Sequence, residues 1–212
     1  MRILVVGMGL IGGSICKSIK AATSHAVYGC DVQQAVLDDA IADGAIDGTG
    51  TMTDGTYDMI ILCLHQRIAI QMVQEALPKI PAGTILVDTC GLKGRMVRDL
   101  TYRCRKADVR YVGTHPMAGR EKNGYYASIP NLFQNANLIV TPVDGTDEAA
   151  LDTVKELADQ MGFGKIVTAT PMWHDNMIAY TSQLAHVVSS SYVKDFCMDD
   201  ALSFSGGSFQ DM

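Results

Sequence analysis

Short apolar runs alternate along the chain with longer segments whose apolar side chains recur at helical spacing. Ile3–Val6, Ala26–Cys30, Met59–Leu64, Thr84–Asp88, Tyr111–Val112, Leu138–Thr141 and Lys165–Ala169 read as strands. Between them, Leu10–Ile19, Val32–Ala42, Arg67–Leu77, Arg95–Arg105 and Asp147–Met161 read as helices. Strands that are apolar throughout, and not only at alternate positions, are buried on both faces. The pattern predicts an α/β domain with a doubly wound parallel sheet over residues 1–170. Beyond Pro171 the rhythm changes. Met172 to Phe196 holds no Gly or Pro and is long enough for about seven helical turns. Pro171 suits the first position of that helix. Residues 171–212 therefore read as the start of an all-helical C-terminal domain.

The first predicted strand runs straight into Gly7-Met8-Gly9-Leu10-Ile11-Gly12-Gly13. Gly7, Gly9 and Gly12 match G-x-G-x-x-G, and the match lies between a strand and a helix, where a dinucleotide-binding Rossmann-type fold requires it. Gly7 permits the tight turn, Gly9 lets a pyrophosphate approach the backbone, and Gly12 lets helix and strand pack closely. The helix start at Leu10 and Ile11 supplies amide donors and a partial positive charge. Asp31 ends the second strand, where a carboxylate accepts hydrogen bonds from a ribose 2′-hydroxyl and repels a 2′-phosphate. No Arg follows in Val32-Gln33-Gln34, so the expected cofactor is NAD and not NADP. The plainer reading of Asp31 is a cap for the next helix.

Composition narrows the class. A net charge of −6 with 17 Lys and Arg gives no footprint for nucleic acid or a membrane surface. No stretch reaches the length of a membrane helix. Cys16, Cys30, Cys63, Cys90, Cys104 and Cys197 include no C-x-x-C pair, so no structural metal is expected and a reducing cytoplasm is.

A second conspicuous stretch is Gly113-Thr114-His115-Pro116-Met117-Ala118-Gly119. It puts His115 at the carboxyl end of a predicted strand, facing the ligand crevice of such a sheet, and imidazole is the side chain best suited to accept a proton near neutral pH. That block, together with Gly-Leu-Ile-Gly-Gly-Ser at 9–14, Leu132-Phe133, Thr141-Pro142, His174-Asp175 and Ser182…His186, resembles the prephenate/arogenate (cyclohexadienyl) dehydrogenase family across essentially the whole chain.

The resemblance implies an NAD-dependent oxidoreductase of tyrosine biosynthesis that oxidises and decarboxylates prephenate to 4-hydroxyphenylpyruvate. It implies His115 as the base on the ring hydroxyl, His186 beside a substrate carboxylate, and Ser182 and Gly91 on the substrate side. Arg120, next to the proposed site in sequence, reads either as a partner for a substrate carboxylate or as a solvated charge. Gly7, Gly9, Leu10, Ile11, Gly12, Asp31 and Asp88 fall to the cofactor. Two departures stand out. Gly91, in Asp88-Thr89-Cys90-Gly91-Leu92-Lys93, replaces the family's Ser, and Gln183 replaces a family His. Thr89, Cys90 or a water is a candidate substitute for the missing hydroxyl. Arogenate is the alternative substrate, and a degenerate NAD-binding relative is the non-catalytic alternative. The 113–119 block argues against a hydroxyacid or imino-acid reductase.

His174-Asp175 reads as polar contacts of a helix start. At the chain end, residues 206–211 resemble the family's Gly-Gly-x-Phe-x-Asp segment but stop before its carboxylate-binding Arg. The expectation is a piece of a longer protein that binds NAD and turns over prephenate poorly. Its C-terminal helix, with Ile178, Leu184, Val187 and Val188, is expected to form a homodimer.

Overall fold

The computed structural model describes residues 1–55, 57–192 and 194. The chain forms two units, Met1–His174 and Asp175–Met212. In the first, the apolar runs become β1 (Arg2–Val6), β2 (Ala26–Cys30), β3 (Gly48–Thr49), β4 (Met59–Leu62), β5 (Ile85–Asp88), β6 (Arg110–Met117), β7 (Asn137–Val140) and β8 (Lys165–Thr168). The helices are α1 (Leu10–Ala22), α2 (Gln34–Ala42), α3 (Gln66–Ala76), α4 (Gly94–Lys106) and α5 (Glu148–Gln160). The strands form one sheet in the order β3-β2-β1-β4-β5-β6-β7-β8. Chain order reverses between β1 and β4, the switch point at which such sheets bind nucleotides.

Successive residues on a strand face opposite sides of the sheet, and this chain uses both. Ile3 and Val5 join a core with Ile15, Ile19 and Val36 from α1 and α2. Leu4 and Val6 join another with Ile70, Val73, Met96 and Leu100 from α3 and α4. Burial on both sides explains why the strands read as unbroken apolar runs.

The sheet is parallel except between β6 and β7. The expected short strand at Tyr111–Val112 runs on to Met117. Its first half pairs in parallel with β5 as far as Asp88↔Gly113. Its second half, Thr114–Met117, pairs antiparallel with β7. Beyond Gly113 no β5 residue is paired with it, so Pro116, which lacks an amide proton, is tolerated there. His115 is therefore mid-strand and not terminal.

The predicted helix from Met172 to Phe196 is interrupted. It consists of α6 (Pro171–Ile178), a π turn at Ala179–Gln183, and α7 (Leu184–Tyr192), while Phe196 lies outside the described residues. Thr170 Oγ1 accepts from the Trp173 amide at 3.2 Å, which caps the start with Pro171 behind it. Within the π turn the Thr181 hydroxyl donates to Met177 O at 2.8 Å. Such a hydroxyl competes for the backbone carbonyl and loosens the regular ladder. The boundary between units falls inside α6, after His174.

Among the described residues, no helix is long and apolar enough to cross a membrane, and no His, Cys, Asp and Glu cluster could hold a metal. Cys197 lies outside the described residues.

Candidate functional site

Strand register puts the candidate residues on one edge of the sheet. Val6 pairs with Leu62, Leu62 with Asp88, and Asp88 with Gly113. The residues just beyond these four, from Gly7 after β1 to His115 on β6, therefore share one carboxyl edge. Three strand spacings, about 14 Å, separate β1 from β6.

At the β1 end the backbone does the work. Gly7 has φ +93°, and a Cβ there would lie 2.5 Å from Cys63 O. A Cβ on Gly12 would lie 1.8 Å from Gly7 O, so the start of α1 closes directly on the turn. Gly9 is different: nothing lies within 4 Å of its would-be Cβ. Gly9 is also the N-cap of α1, so the amides at Leu10 and Ile11 open a helix with no side-chain cap and no acidic residue in its own first turn. Asp31 Oδ2 accepts from the Met8 amide at 2.7 Å, and Oδ1 from the Gln33 amide at 2.9 Å. The carboxylate is tied to the glycine loop and does not occupy the cap position of α2, which is Gln33. Beside it Val32 is 99% exposed. These residues fit a dinucleotide: an open glycine, amides at a helix start, and a half-buried carboxylate at the edge.

At the β6 end, side chains converge. Asp88 and Lys93 are fully buried and form an ion pair. Asp88 Oδ1 also accepts from the Cys90 amide at 2.9 Å, and Oδ2 from the Tyr111 hydroxyl at 2.6 Å. Lys93 Nζ donates to Thr114 O at 2.5 Å, and Thr114 Oγ1 to Asp88 O at 2.6 Å. A buried charge pair is tolerable because these further hydrogen bonds satisfy it. Burial, with the adjacent Asp88 carboxylate, pushes the Tyr111 hydroxyl well above its ordinary value. The network grips the residue just before His115. Asp88, expected on the cofactor side, is fully buried, and both its oxygens are engaged inside the domain. Sequence reasoning gives Tyr111 no role, because its pairing joins β6 to β5, and it leaves Lys93 without a role although Asp88 is only five residues away.

His115 is half-buried on β6. Its Cε1–Nε2 edge faces Gly91, whose would-be Cβ lies 3.8 Å from both atoms. The other ring nitrogen, Nδ1, is 2.9 Å from His174 Nε2. The rings meet edge to face, with centroids 5.1 Å apart at 66°, and His174 is 1% exposed. His174 is thus more than a helix-start residue. The candidate substitutes for the missing hydroxyl are both engaged by the end of β4. Thr89 Oγ1 donates to Leu62 O at 3.1 Å, and Cys90 Sγ to Leu64 O at 3.4 Å. Burial pushes the Cys63 and Cys90 thiols up to about 12, so neither is a nucleophile near neutral pH.

Arg120 is exposed, and its Nη1 donates to Ala127 O at 3.0 Å. Ser182 and His186 belong to the second unit. Ser182 lies in the π turn, a feature frequent at functional sites, and His186 is exposed on α7.

Comparison with known proteins accords with this geometry. Residues 15–168, well over half of the chain, match the family described as "Prephenate dehydrogenase, nucleotide-binding domain". The prephenate dehydrogenase of Bacillus subtilis is 28% identical over 219 residues, which take in 99% of this chain and 59% of that protein. The cyclohexadienyl dehydrogenase of Zymomonas mobilis is 30% identical over 222 residues, with 99% of this chain and 74% of that protein covered. A crystal structure of prephenate dehydrogenase from A. aeolicus, in complex with hydroxyphenyl propionate and NAD+, superposes with a TM-score of 0.83 at 28% identity. That match covers 98% of this chain and 72% of the other. The chain therefore spans less than two thirds of its Bacillus relative, and it belongs to the prephenate dehydrogenase family.

Proposed function

We propose that the chain catalyses NAD-dependent oxidative decarboxylation of prephenate to 4-hydroxyphenylpyruvate, a step of tyrosine biosynthesis in the cytoplasm. The observation that carries this reading is the pairing of the open Gly9 turn with His115 on one sheet edge. When bound, NAD+ would take the hydride from the ring carbinol carbon. Gly9 and the Leu10 and Ile11 amides would hold its pyrophosphate, and Asp31 a ribose hydroxyl. His115 Nε2 would accept the hydroxyl proton as the carbonyl forms. The carboxylate on the ring then leaves as carbon dioxide, its bonding electrons complete the aromatic ring, the phenolate oxygen so formed takes back a proton, and aromatisation drives the step. Arg120, Ser182 and His186 are the candidates for holding the substrate carboxylates.

Gly91 favours a second reading, a nucleotide-binding relative with little turnover, because no hydroxyl stands beside the His115 ring at that position. For the second unit we propose association with another copy. Tyr180, Leu184, Val187 and Val188 are exposed apolar side chains, which a homodimer through the C-terminal helices would cover.

The test is initial rate with prephenate and with arogenate, each with NAD+ and NADP+, for wild type and Gly91→Ser. The expected result is turnover with prephenate and NAD+, raised in Gly91→Ser. NAD+ binding with no turnover of either substrate, in either protein, would overturn the enzymatic reading. Equal affinity for NADP+ would overturn the role of Asp31.

A further inference from the structure

A hydrogen bond between two imidazoles constrains both rings. At the 2.9 Å contact between His115 Nδ1 and His174 Nε2, one nitrogen carries the proton and the other accepts it. If His115 Nδ1 carries it, a neutral His115 has a lone pair at Nε2, on the edge that faces Gly91. If His174 Nε2 carries it, a neutral His115 has its proton at Nε2 and cannot accept another there. The direction of this one hydrogen bond therefore decides whether His115 can act as a base.

The surroundings hold the pair in place. His174 is buried and stands in the first turn of α6, where its amide donates to Thr170 O at 2.9 Å. His115 follows Thr114, whose carbonyl is fixed by the buried Lys93 and whose hydroxyl is fixed on Asp88 O. These contacts fix the backbone from which each ring projects.

We infer that His174 is a positioning residue of the site. Its Nε2 accepts the proton of His115 Nδ1 and so keeps His115 in the tautomer whose Nε2 faces Gly91 as a proton acceptor. The inference rests on the proposed role of His115 but is tested apart from turnover. An orienting group on the far nitrogen of a catalytic imidazole is a general device, and here a second imidazole fills the place.

The experiment is a long-range 1H–15N correlation spectrum of the imidazoles in the 212-residue chain at neutral pH, with His115→Asn to assign His115. The expected spectrum has His115 protonated at Nδ1 and unprotonated at Nε2. In His174→Phe, which keeps a ring and loses the acceptor, the His115 population shifts toward the Nε2–H tautomer. In His174→Gln, whose amide oxygen can accept, it returns. Where turnover is measurable, His174→Phe lowers kcat by about 10²-fold with little change in KM, and His174→Gln recovers part of the loss. Protonation of His115 at Nε2 in wild type overturns the inference even if no variant folds. A His115 tautomer unchanged in His174→Phe overturns it as well. Absent turnover with the expected spectrum leaves the tautomer assignment supported and overturns the enzymatic reading.

Discussion

At the β1 end of the sheet edge, the candidate ligand groups are glycine backbone and one carboxylate tied to it. At the β6 end the candidate is His115, backed by side chains from β5, the N-cap of α4, β6 and the start of α6, which are joined by a buried ion pair and a His–His contact. The first region is local in sequence: from Gly7 to Asp31 it is one strand, one helix and one strand. The second joins residue 88 to residues 93 and 111, and residue 115 to residue 174. A site made of backbone tolerates little change in shape. A site made of buried side chains tolerates little change in charge.

That contrast is broken most sharply by removing charge. Asp88→Ala leaves Lys93 buried beside the Tyr111 hydroxyl without its carboxylate. Unfolding in urea should show a loss of about 3–5 kcal/mol. A loss below about 1 kcal/mol would mean that water or rearrangement satisfies Lys93, and that the network does not hold the site.

Changes of shape sharpen it from the other side. Gly12→Ala puts a methyl 1.8 Å from Gly7 O, whereas Gly9→Ala meets nothing within 4 Å. Gly12→Ala should lose about 1–3 kcal/mol in a melt and bind NAD+ weakly. Gly9→Ala should melt nearly as wild type yet also bind NAD+ weakly by calorimetry, since its methyl occupies the ligand's space. Normal NAD+ binding by Gly9→Ala would remove the pyrophosphate from this turn.

The remaining expected effect is a pH dependence. Burial raises the folded-state values of Cys63, Cys90 and Cys104 to about 12, from an ordinary 9.0. Between those limits the unfolded chain releases protons that the folded chain keeps. Stability is thus fully present below about pH 9 and falls as pH rises above it, by at most about 1.4 kcal/mol per pH unit for each thiol. Urea midpoints from about pH 8 to about pH 10.5 check this, and alanine at Cys104 should flatten the slope. A flat profile in wild type would contradict it.

The legible parts of the molecule share a physical cause. The doubly covered sheet is visible because burial on both faces makes each strand apolar throughout. The glycine loop is visible because its geometry leaves no room for side chains, and His115 stands out through its flanking Gly and Pro. Tyr111 and His174 do not stand out, because each acts through a partner that only the fold brings near. The antiparallel turn from β6 to β7 is hidden because pairing direction leaves no trace in hydrophobicity. The π turn is hidden because Tyr180-Thr181-Ser182 is compatible with a regular helix until a hydroxyl competes for the backbone.

The proposed mechanism places cofactor and proton acceptor at separate ends of one sheet edge. Its most direct test is His115→Asn, assayed for prephenate-dependent reduction of NAD+ and, separately, for NAD+ affinity by calorimetry. Turnover should fall by about 10²–10⁴-fold while NAD+ affinity stays near that of wild type. Near-normal turnover would put the proton acceptor elsewhere, and lost NAD+ affinity would show that the two ends are not separate.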